Sequence, residues 1–150
     1  MGGVVGPRVA RLGHTPIPDL CPATAVAAPA NLAVAAHHQI IGHVIVVAGN
    51  SEHGGLARHT LRPAQELVSV SRLFVAPHAR GAGAGAALLH AADRWAAEHR
   101  LRATLEVVED AVDAIGLYEA SGWQLLGRRQ ATWSTANGAP VWLRSYLAPA

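Results

Sequence analysis

Apolar residues recur at two different spacings along the chain, and these spacings predict strands and helices in alternation. Runs rich in β-branched residues predict strands at 32–36, 40–49, 66–75, 103–109, 123–133 and 140–147. A helix is predicted over 85–100 from the apolar residues that share one face at helical spacing: Leu88, Leu89, Ala92, Trp95 and Ala96. A shorter helix is predicted over 112–121, with Gly122 as its left-handed cap. The order β-β-β-α-β-α-β-β predicts an α/β domain of the α+β kind, built around one mixed sheet.

The N-terminal part of the chain interrupts this pattern. Its periodic runs are broken by Pro7, Pro16, Pro18, Pro22 and Pro29. Because a proline inside a helix costs about 3 kcal/mol, no long helix is expected there. We therefore predict an irregular Pro/Ala-rich segment at 1–30, with one short strand within 4–12, followed by a single domain at 31–150.

Composition narrows the classes of function. All 12 basic residues are arginines, and most are scattered rather than arranged in a stripe, so no nucleic-acid partner is expected. The longest apolar run, 40–49, is too short to span a bilayer and contains His43. With one cysteine and no pattern of a secretion signal, we expect a cytoplasmic protein without a membrane partner. The nine histidines form no metal-binding motif, so no metal is expected.

A glycine-rich turn, RGAGAG, lies between a predicted strand and the first predicted helix. Glycine allows a ligand to approach the backbone, and the first amides of a helix bind phosphate groups well. Arg80 supplies a cation for charge-assisted hydrogen bonds. One alternative is a flexible connector that binds nothing. Another is a dinucleotide-binding G-x-G-x-x-A turn with Glu106 about twenty residues later, which the intervening APHAR segment and the preceding hairpin disfavour.

Two segments together resemble the GNAT N-acetyltransferase superfamily. LFVAPHARGAGAGAALL, at 73–89, is similar to its acetyl-CoA-binding core, in which a strand ending in apolar-x-Val-x-Pro precedes R/Q-x-x-G-x-G/A and a helix. DAIGLYEASGW, at 113–123, is similar to the later A-x-x-L-Y-E-x-x-G-F/W segment. The resemblance covers 32–147 in the family's order. It implies a GNAT-like acyl-CoA N-acyltransferase fold with a shortened N-terminal part, and transfer of an acetyl group from acetyl-CoA to an amine by direct attack.

The resemblance also assigns roles to residues. It implies that the CoA diphosphate lies on the turn formed by Arg80, Gly81, Ala82, Gly83, Ala84, Gly85 and Ala86. The pantetheine arm would pair like an added strand with the backbone of Leu73, Phe74 and Val75. Tyr118 matches the tyrosine that protonates the departing thiolate. A thiol has a pKa of about 8.5 and a tyrosine of about 10, so this role needs no extreme tuning.

The general base is left open. A lysine-like amine has a pKa of about 10.4, so deprotonating it at pH 7 costs roughly 4.6 kcal/mol. The family often carries a carboxylate on the strand that enters the turn, where this chain has Ser69 and Ser71. The remaining candidates are Glu52, Glu66, Glu106, His53, His59 and His78. Ala111 also stands where many relatives have an asparagine.

These departures leave an alternative function open. The missing strand carboxylate and the short N-terminal part also fit a non-catalytic acyl-CoA-binding or regulatory module with an eroded acceptor site. For the enzyme, small-molecule and peptide amines are both compatible with the pattern. The final strands favour a homodimer, because such strands often pair between chains.

Overall fold

The computed structural model describes residues 8–12, 30–36, 39–48 and 59–150. Within them, the strands are β1 (Arg8–Leu12), β2 (Ala30–Ala36), β3 (Gln39–Ala48), β4 (Leu67–Val75), β5 (Arg102–Val108), β6 (Gln124–Ser134) and β7 (Pro140–Leu147). The α-helices that follow β4 and β5 are α1 (Ala84–Glu98) and α2 (Val112–Ala120). The strands form one sheet in the order β1-β2-β3-β4-β5-β7-β6. Among the described strands, only the neighbours β4 and β5 are parallel, and the other neighbouring pairs are antiparallel.

The predicted mixed sheet and its order of elements are confirmed. Helix α1 begins one residue before the predicted start, at Ala84, and ends at Glu98. β1 lies inside the window in which a short N-terminal strand was predicted, and it pairs with β2, so the sheet begins before residue 31. Residues 1–7 and 13–29 lie outside the described residues, and the division of the chain at residue 30 stays a prediction.

The hydrophobic core lies between α1 and one face of the sheet. The predicted apolar face of α1 is confirmed, because the same five side chains are all buried: Leu88, Leu89, Ala92, Trp95 and Ala96. They form one cluster with buried residues of the central strands, including Val44, Val46 and Leu105. Burying each large side chain contributes about 1.5–3 kcal/mol, which fixes α1 over the centre of the sheet.

Helix α2 follows β5 and ends at a left-handed glycine, as the sequence predicts. Gly122 has φ +81°, and the amide of Trp123 donates to the carbonyl of Tyr118 at 3.0 Å. The chain then forms the edge strand β6 before β7 inserts between β5 and β6. This order places Arg144 and Tyr146, in the second half of β7, beside α2. Among the described residues, no helix is long and apolar enough to cross a membrane.

Candidate functional site

The strands β4 and β5 form a fork in the middle of the sheet. They pair only at Leu67–Arg102, Val68–Ala103 and Ser69–Thr104. Beyond these pairs β4 continues to Val75 and β5 to Val108. Since the structure gives no further β4–β5 pairs in the described ranges, the facing edges are free to pair with an extended ligand.

A buried hydroxyl marks the vertex of the fork. The Thr104 side chain is fully buried and donates a hydrogen bond to the Val68 carbonyl at 3.0 Å. The bond satisfies a backbone acceptor where the parallel ladder ends, which a buried carbonyl requires. Thr104 thus stabilises the point at which the two strands separate.

A bulge in β4 turns its last residues away from the preceding ladder. Between the pairs His43–Phe74 and Ile45–Ser71, one residue of β3 faces two residues of β4. Arg72 in this bulge has φ +51°, a left-handed conformation that is unusual for arginine. Such bulges bend a strand and increase its local twist, which favours the separation of β4 from β5.

The carbonyl of Val75 points into the fork. The next amide, that of Ala76, donates to Ile41 of β3 at 2.8 Å, and successive residues of a strand direct their polar groups to opposite sides. The Arg80 side chain donates from Nε to the Val75 carbonyl at 3.2 Å. The structure therefore brings Arg80 and Val75 together at the open end of the fork.

The other two residues predicted to bind pantetheine are placed differently. The Phe74 carbonyl faces β3, since a Cβ built at Gly42 would lie 2.8 Å from it. The Phe74 side chain is exposed and lies beside the His43 ring, with 5.9 Å between the ring centroids. Leu73 is partly buried against the core. The Val75 carbonyl is thus available to a ligand in the fork, whereas the Phe74 carbonyl is directed to β3.

The glycine-rich turn forms the N-terminus of α1. Gly81 and Gly83 have φ +79° and +82°, and a Cβ built at either would have no atom within 4 Å. No side chain caps the helix at Gly83. The first amides of a helix lack intrahelical partners, and the helix dipole places about half a positive charge there. The turn therefore has the open backbone that a phosphate group requires.

Helix α2 lies directly against this turn. A Cβ built at Gly85 would lie 2.9 Å from Leu117 Cδ2 and 3.8 Å from Val75 Cγ2. The end of β4, the start of α1 and the middle of α2 therefore meet at one place. Tyr118, the proposed acid, is the next residue of α2 after Leu117.

Tyr118 is held in an aromatic environment. It is 8% exposed and lies beside the rings of Trp123 and Tyr146, with centroid distances of 6.5 and 6.0 Å. Burial raises the pKa of the Tyr118 phenol above its ordinary value of 10.0. The phenol is therefore protonated at neutral pH, as a proton donor must be.

The face of the sheet opposite α1 carries a carboxylate beside the fork. Glu106 of β5 accepts two hydrogen bonds from Arg129 of β6, at 2.7 and 2.5 Å, and one from Ser145 of β7 at 3.0 Å. Ser145 and the core residue Tyr146 are adjacent in β7, so their side chains point to opposite faces. Glu106 therefore lies on the face that α1 leaves free.

The structure places the candidate bases at different positions relative to the fork. Glu66 pairs with Arg62 at the surface, at 3.2 Å, and His78 is exposed in the short turn after β4. The His59 ring lies on the same face as Glu106, since a Cβ built at Gly127 would be 3.6 Å from its Nε2 and Gly127 pairs with Ser145. The remaining two candidates, Glu52 and His53, lie outside the described residues.

Several residues of the site have no signal in the local sequence. In the sequence, Thr104 looks like any other β-branched residue of a predicted strand. Its hydrogen bond is made to Val68, which lies 36 residues away in the chain. The bond from Tyr146 to Glu119 joins residues 27 apart. Ala111, noted in the sequence as a departure, leaves α2 without a side-chain cap. No group of three or more His, Cys, Asp or Glu residues among those described could hold a metal ion.

The comparisons with known proteins agree with this geometry. A sequence model of the Acetyltransferase (GNAT) family matches residues 10–123. Members of this family use acetyl-CoA as their cosubstrate. None of the curated proteins matches the chain in sequence.

Solved structures share the fold at low sequence identity. An N-acetyltransferase from Staphylococcus aureus Mu50 has a TM-score of 0.64 at 14% identity, covering 79% of this chain and 66% of the neighbour. An acetyltransferase from Bacillus anthracis in complex with acetyl coenzyme A has a TM-score of 0.65 at 21% identity, covering 81% of this chain and 62% of the neighbour. The ribosomal-protein-alanine N-acetyltransferase of Brucella melitensis has a TM-score of 0.60 at 18% identity, covering 79% of this chain and 68% of the neighbour. The chain thus spans about two thirds of the length of these neighbours.

Proposed function

Because the chain belongs to the GNAT family of acetyltransferases, we propose that it transfers the acetyl group of acetyl-CoA to an amine acceptor by direct attack. The observation that carries the proposal is the fork between β4 and β5, which opens beside the glycine-rich N-terminus of α1. One end of this site suits an extended pantetheine arm and the other suits a diphosphate. A connector that binds nothing would not require both features at one place.

The residues of the turn and the fork fit acetyl-CoA. The amides from Gly81 to Ala86 would bind the diphosphate at the positive end of the helix dipole. The Arg80 side chain already bonds through Nε to the Val75 carbonyl, and its remaining N–H groups would bond to phosphate oxygens. A carbonyl oxygen has two lone pairs, so Val75 would accept from the pantetheine arm and from Arg80 together.

The proposed reaction needs an acid at the leaving sulfur. The amine nitrogen bonds to the acetyl carbon, the carbon–sulfur bond breaks, and the amine loses one proton. Tyr118 would donate its phenol proton to the departing CoA thiolate and recover one from solvent. Its raised pKa keeps the donor proton in place, and Leu117 next to it already contacts the cofactor turn at Gly85.

Among the candidate bases, we favour Glu106. It lies in the part of β5 that no longer pairs with β4, on the face of the sheet opposite α1. An acceptor that enters from that face would therefore contact Glu106 beside the fork. The hydrogen bonds from Arg129 and Ser145 hold its carboxylate in one position. Glu106 would stabilise the charge on the amine and accept its proton.

The proposed acceptor is a primary or secondary amine. The neighbour from Brucella melitensis is described as acting on a ribosomal-protein alanine, but at 18% identity it shows the fold alone. Small-molecule and peptide amines both remain within the proposal. A cytoplasmic location stays a prediction, and so does a homodimer, which the exposed Leu125 and Trp133 of the edge strand β6 support.

Two measurements on the purified chain test the proposal. Calorimetric titration with acetyl-CoA should give micromolar binding, and Arg80→Ala should weaken it about tenfold by removing the charged bonds. A panel of small and peptide amines should then reveal turnover, which Tyr118→Phe should lower by about a hundredfold with little change in acetyl-CoA affinity. Glu98→Gln is the control, because Glu98 is exposed and pairs with Arg94 at the far end of α1. It should change neither acetyl-CoA binding nor turnover.

The possible results separate the functions. Tight binding without turnover on any amine would favour the non-catalytic acyl-CoA-binding module. Absence of binding would show that the fork and the turn do not form a cofactor site. Full activity of Tyr118→Phe would remove the tyrosine from the mechanism while leaving the transferase intact.

A further inference from the structure

We propose that Tyr146 and Glu119 are positioning residues: they hold the last turn of α2 on the sheet and so fix the direction of the Tyr118 hydroxyl. The inference rests on the proposed role of Tyr118 as the acid. Neither residue would touch the reacting atoms. Both act through the placement of the tyrosine ring.

Helix α2 has few means of holding its own position. It is nine residues long, lacks a side-chain cap at Ala111, and buries only Ile115 and Tyr118. Isolated helices shorter than about 12 residues are marginal in water. The placement of α2, and of the phenol it carries, therefore depends on its tertiary contacts, which are made with the start of α1 through Leu117 and with the sheet through Glu119.

Tyr146 is the fixed partner in this contact. It is fully buried in β7, which lies between two strands, and pairs with Leu105 on one side and Leu125 on the other. Its hydroxyl donates to Glu119 Oε1 at 2.9 Å. The Arg144 guanidinium lies 4.0 Å from the same oxygen, which adds a weaker attraction. A rigid strand residue thus holds the residue next to Tyr118.

The rings complete the restraint. Tyr118 lies tilted at 54° to Tyr146 and at 49° to Trp123, between the stacked and the edge-to-face arrangements. Within the described ranges, no hydrogen bond from the Tyr118 hydroxyl to another residue is present, so these rings and the bond to Glu119 orient it. A shift of α2 by about 1 Å would displace the hydroxyl by a similar distance, enough to slow a proton transfer strongly.

Tyr146 keeps the phenol proton that it donates to Glu119. Burial, and then the hydrogen bond to Glu119, raise its pKa above the ordinary value of 10.0. The phenol therefore keeps its proton across the neutral range. It thus remains able to donate to Glu119 at neutral pH.

Kinetics of four variants test the proposal. Tyr146→Phe and Glu119→Ala should each lower kcat about tenfold, with KM for acetyl-CoA within a factor of two. Glu119→Gln keeps an acceptor oxygen and should recover most of the activity. Tyr146→Phe combined with Tyr118→Phe should be no slower than Tyr118→Phe alone, because Tyr146 acts only through that hydroxyl.

Each result has a distinct meaning. If Tyr146→Phe slows the enzyme equally in both backgrounds, its role is general stability and the positioning proposal is wrong, while the proposed function stands. If Tyr118→Phe costs no activity, the proposed acid is wrong and the positioning role falls with it. Glu119→Ala guards against misfolding of the buried variant, because the Glu119 side chain is 53% exposed.

A second measurement does not depend on turnover. The chain has two tyrosines, so Tyr146→Phe labelled with ¹³C-tyrosine shows the ring signals of Tyr118 alone. Freed from its restraint, the ring should become more hydrated, and its titration should move down toward pH 10 relative to the wild type. An unchanged titration and unchanged line shape in both Tyr146→Phe and Glu119→Ala would overturn the proposal even if no acceptor is known.

Discussion

Gly85 at the start of α1 and Leu117 in α2 are in contact so close that a Cβ on Gly85 would lie 2.9 Å from Leu117 Cδ2. Alanine is otherwise the better helix residue by about 1 kcal/mol. The glycine is therefore explained by the approach of α2 to the cofactor turn. This approach connects the proposed phosphate site to the helix that carries the proposed acid.

Gly85→Ala and Gly116→Ala should consequently differ in effect. Gly116 lies in α2 with no atom within 4 Å of a built Cβ, so its substitution should raise the free energy of unfolding by about 0.5–1 kcal/mol. Gly85→Ala should lose that gain, because Leu117 must move, and should also lower kcat. Urea unfolding and steady-state kinetics of both variants provide the measurement. Equal stabilisation by the two substitutions would show that Leu117 moves aside at no cost.

Gly83 and Gly138 allow backbone strain to be separated from cofactor binding. Both have φ +82° and open space around a built Cβ, but Gly83 begins α1 and Gly138 lies in the turn between β6 and β7. Alanine at either position should cost about 1–2 kcal/mol of stability, because L-residues disfavour this conformation. Only Gly83→Ala should weaken acetyl-CoA binding, by about tenfold, when titrated calorimetrically. A similar loss of binding in Gly138→Ala would point to general destabilisation.

Local patterns predicted the elements of this fold well but not the details of its site. The buried face of α1, from Leu88 to Ala96, and the left-handed Gly122 follow from spacing and residue type within a few positions. The fork depends instead on where β4 stops pairing with β5. Its vertex is stabilised by the hydrogen bond between Thr104 and Val68. Such contacts join distant parts of the chain and leave no periodic trace in it.

The resemblance to a family supplied what periodicity could not. It selected Tyr118 and assigned the glycine-rich turn to the diphosphate of CoA, but it did not identify the partners that hold them. Tyr146 became a neighbour of Tyr118 only because β7 inserts between β5 and β6, against the order of the chain. The pairing of Glu106 with Arg129 across β7 depends on the same insertion.

Thr104→Val should destabilise the vertex of the fork. Valine has nearly the same shape, so the change removes the hydroxyl that bonds to the buried Val68 residue and leaves its carbonyl without that donor. We expect a loss of about 1–2 kcal/mol in the free energy of unfolding, measured in urea. Thr104→Ser keeps the hydroxyl and should lose less. A smaller effect for valine than for serine would mean that the methyl group, and not the hydrogen bond, matters at the vertex.

The two tyrosines should make the fold lose stability in alkaline solution. Burial raises the pKa of both Tyr118 and Tyr146 above 10.0, so above that pH the native state binds more protons than the unfolded state. The free energy of unfolding should then be fully maintained below about pH 10 and decrease as the pH rises through the native pKa values. Because the chain contains no lysine, few other groups titrate in this range.

Urea unfolding between pH 8 and 11.5 measures this dependence, with tyrosinate absorbance following ionisation of the native state. The limiting slope should correspond to up to two protons in the wild type, and to at most one in Tyr146→Phe, because each buried phenol contributes one linked proton. A stability that stays flat through this range would show that neither phenol is shielded from solvent. In that case the phenol of Tyr118 would have the same pKa as in the unfolded chain, and its burial would contribute nothing to keeping it protonated.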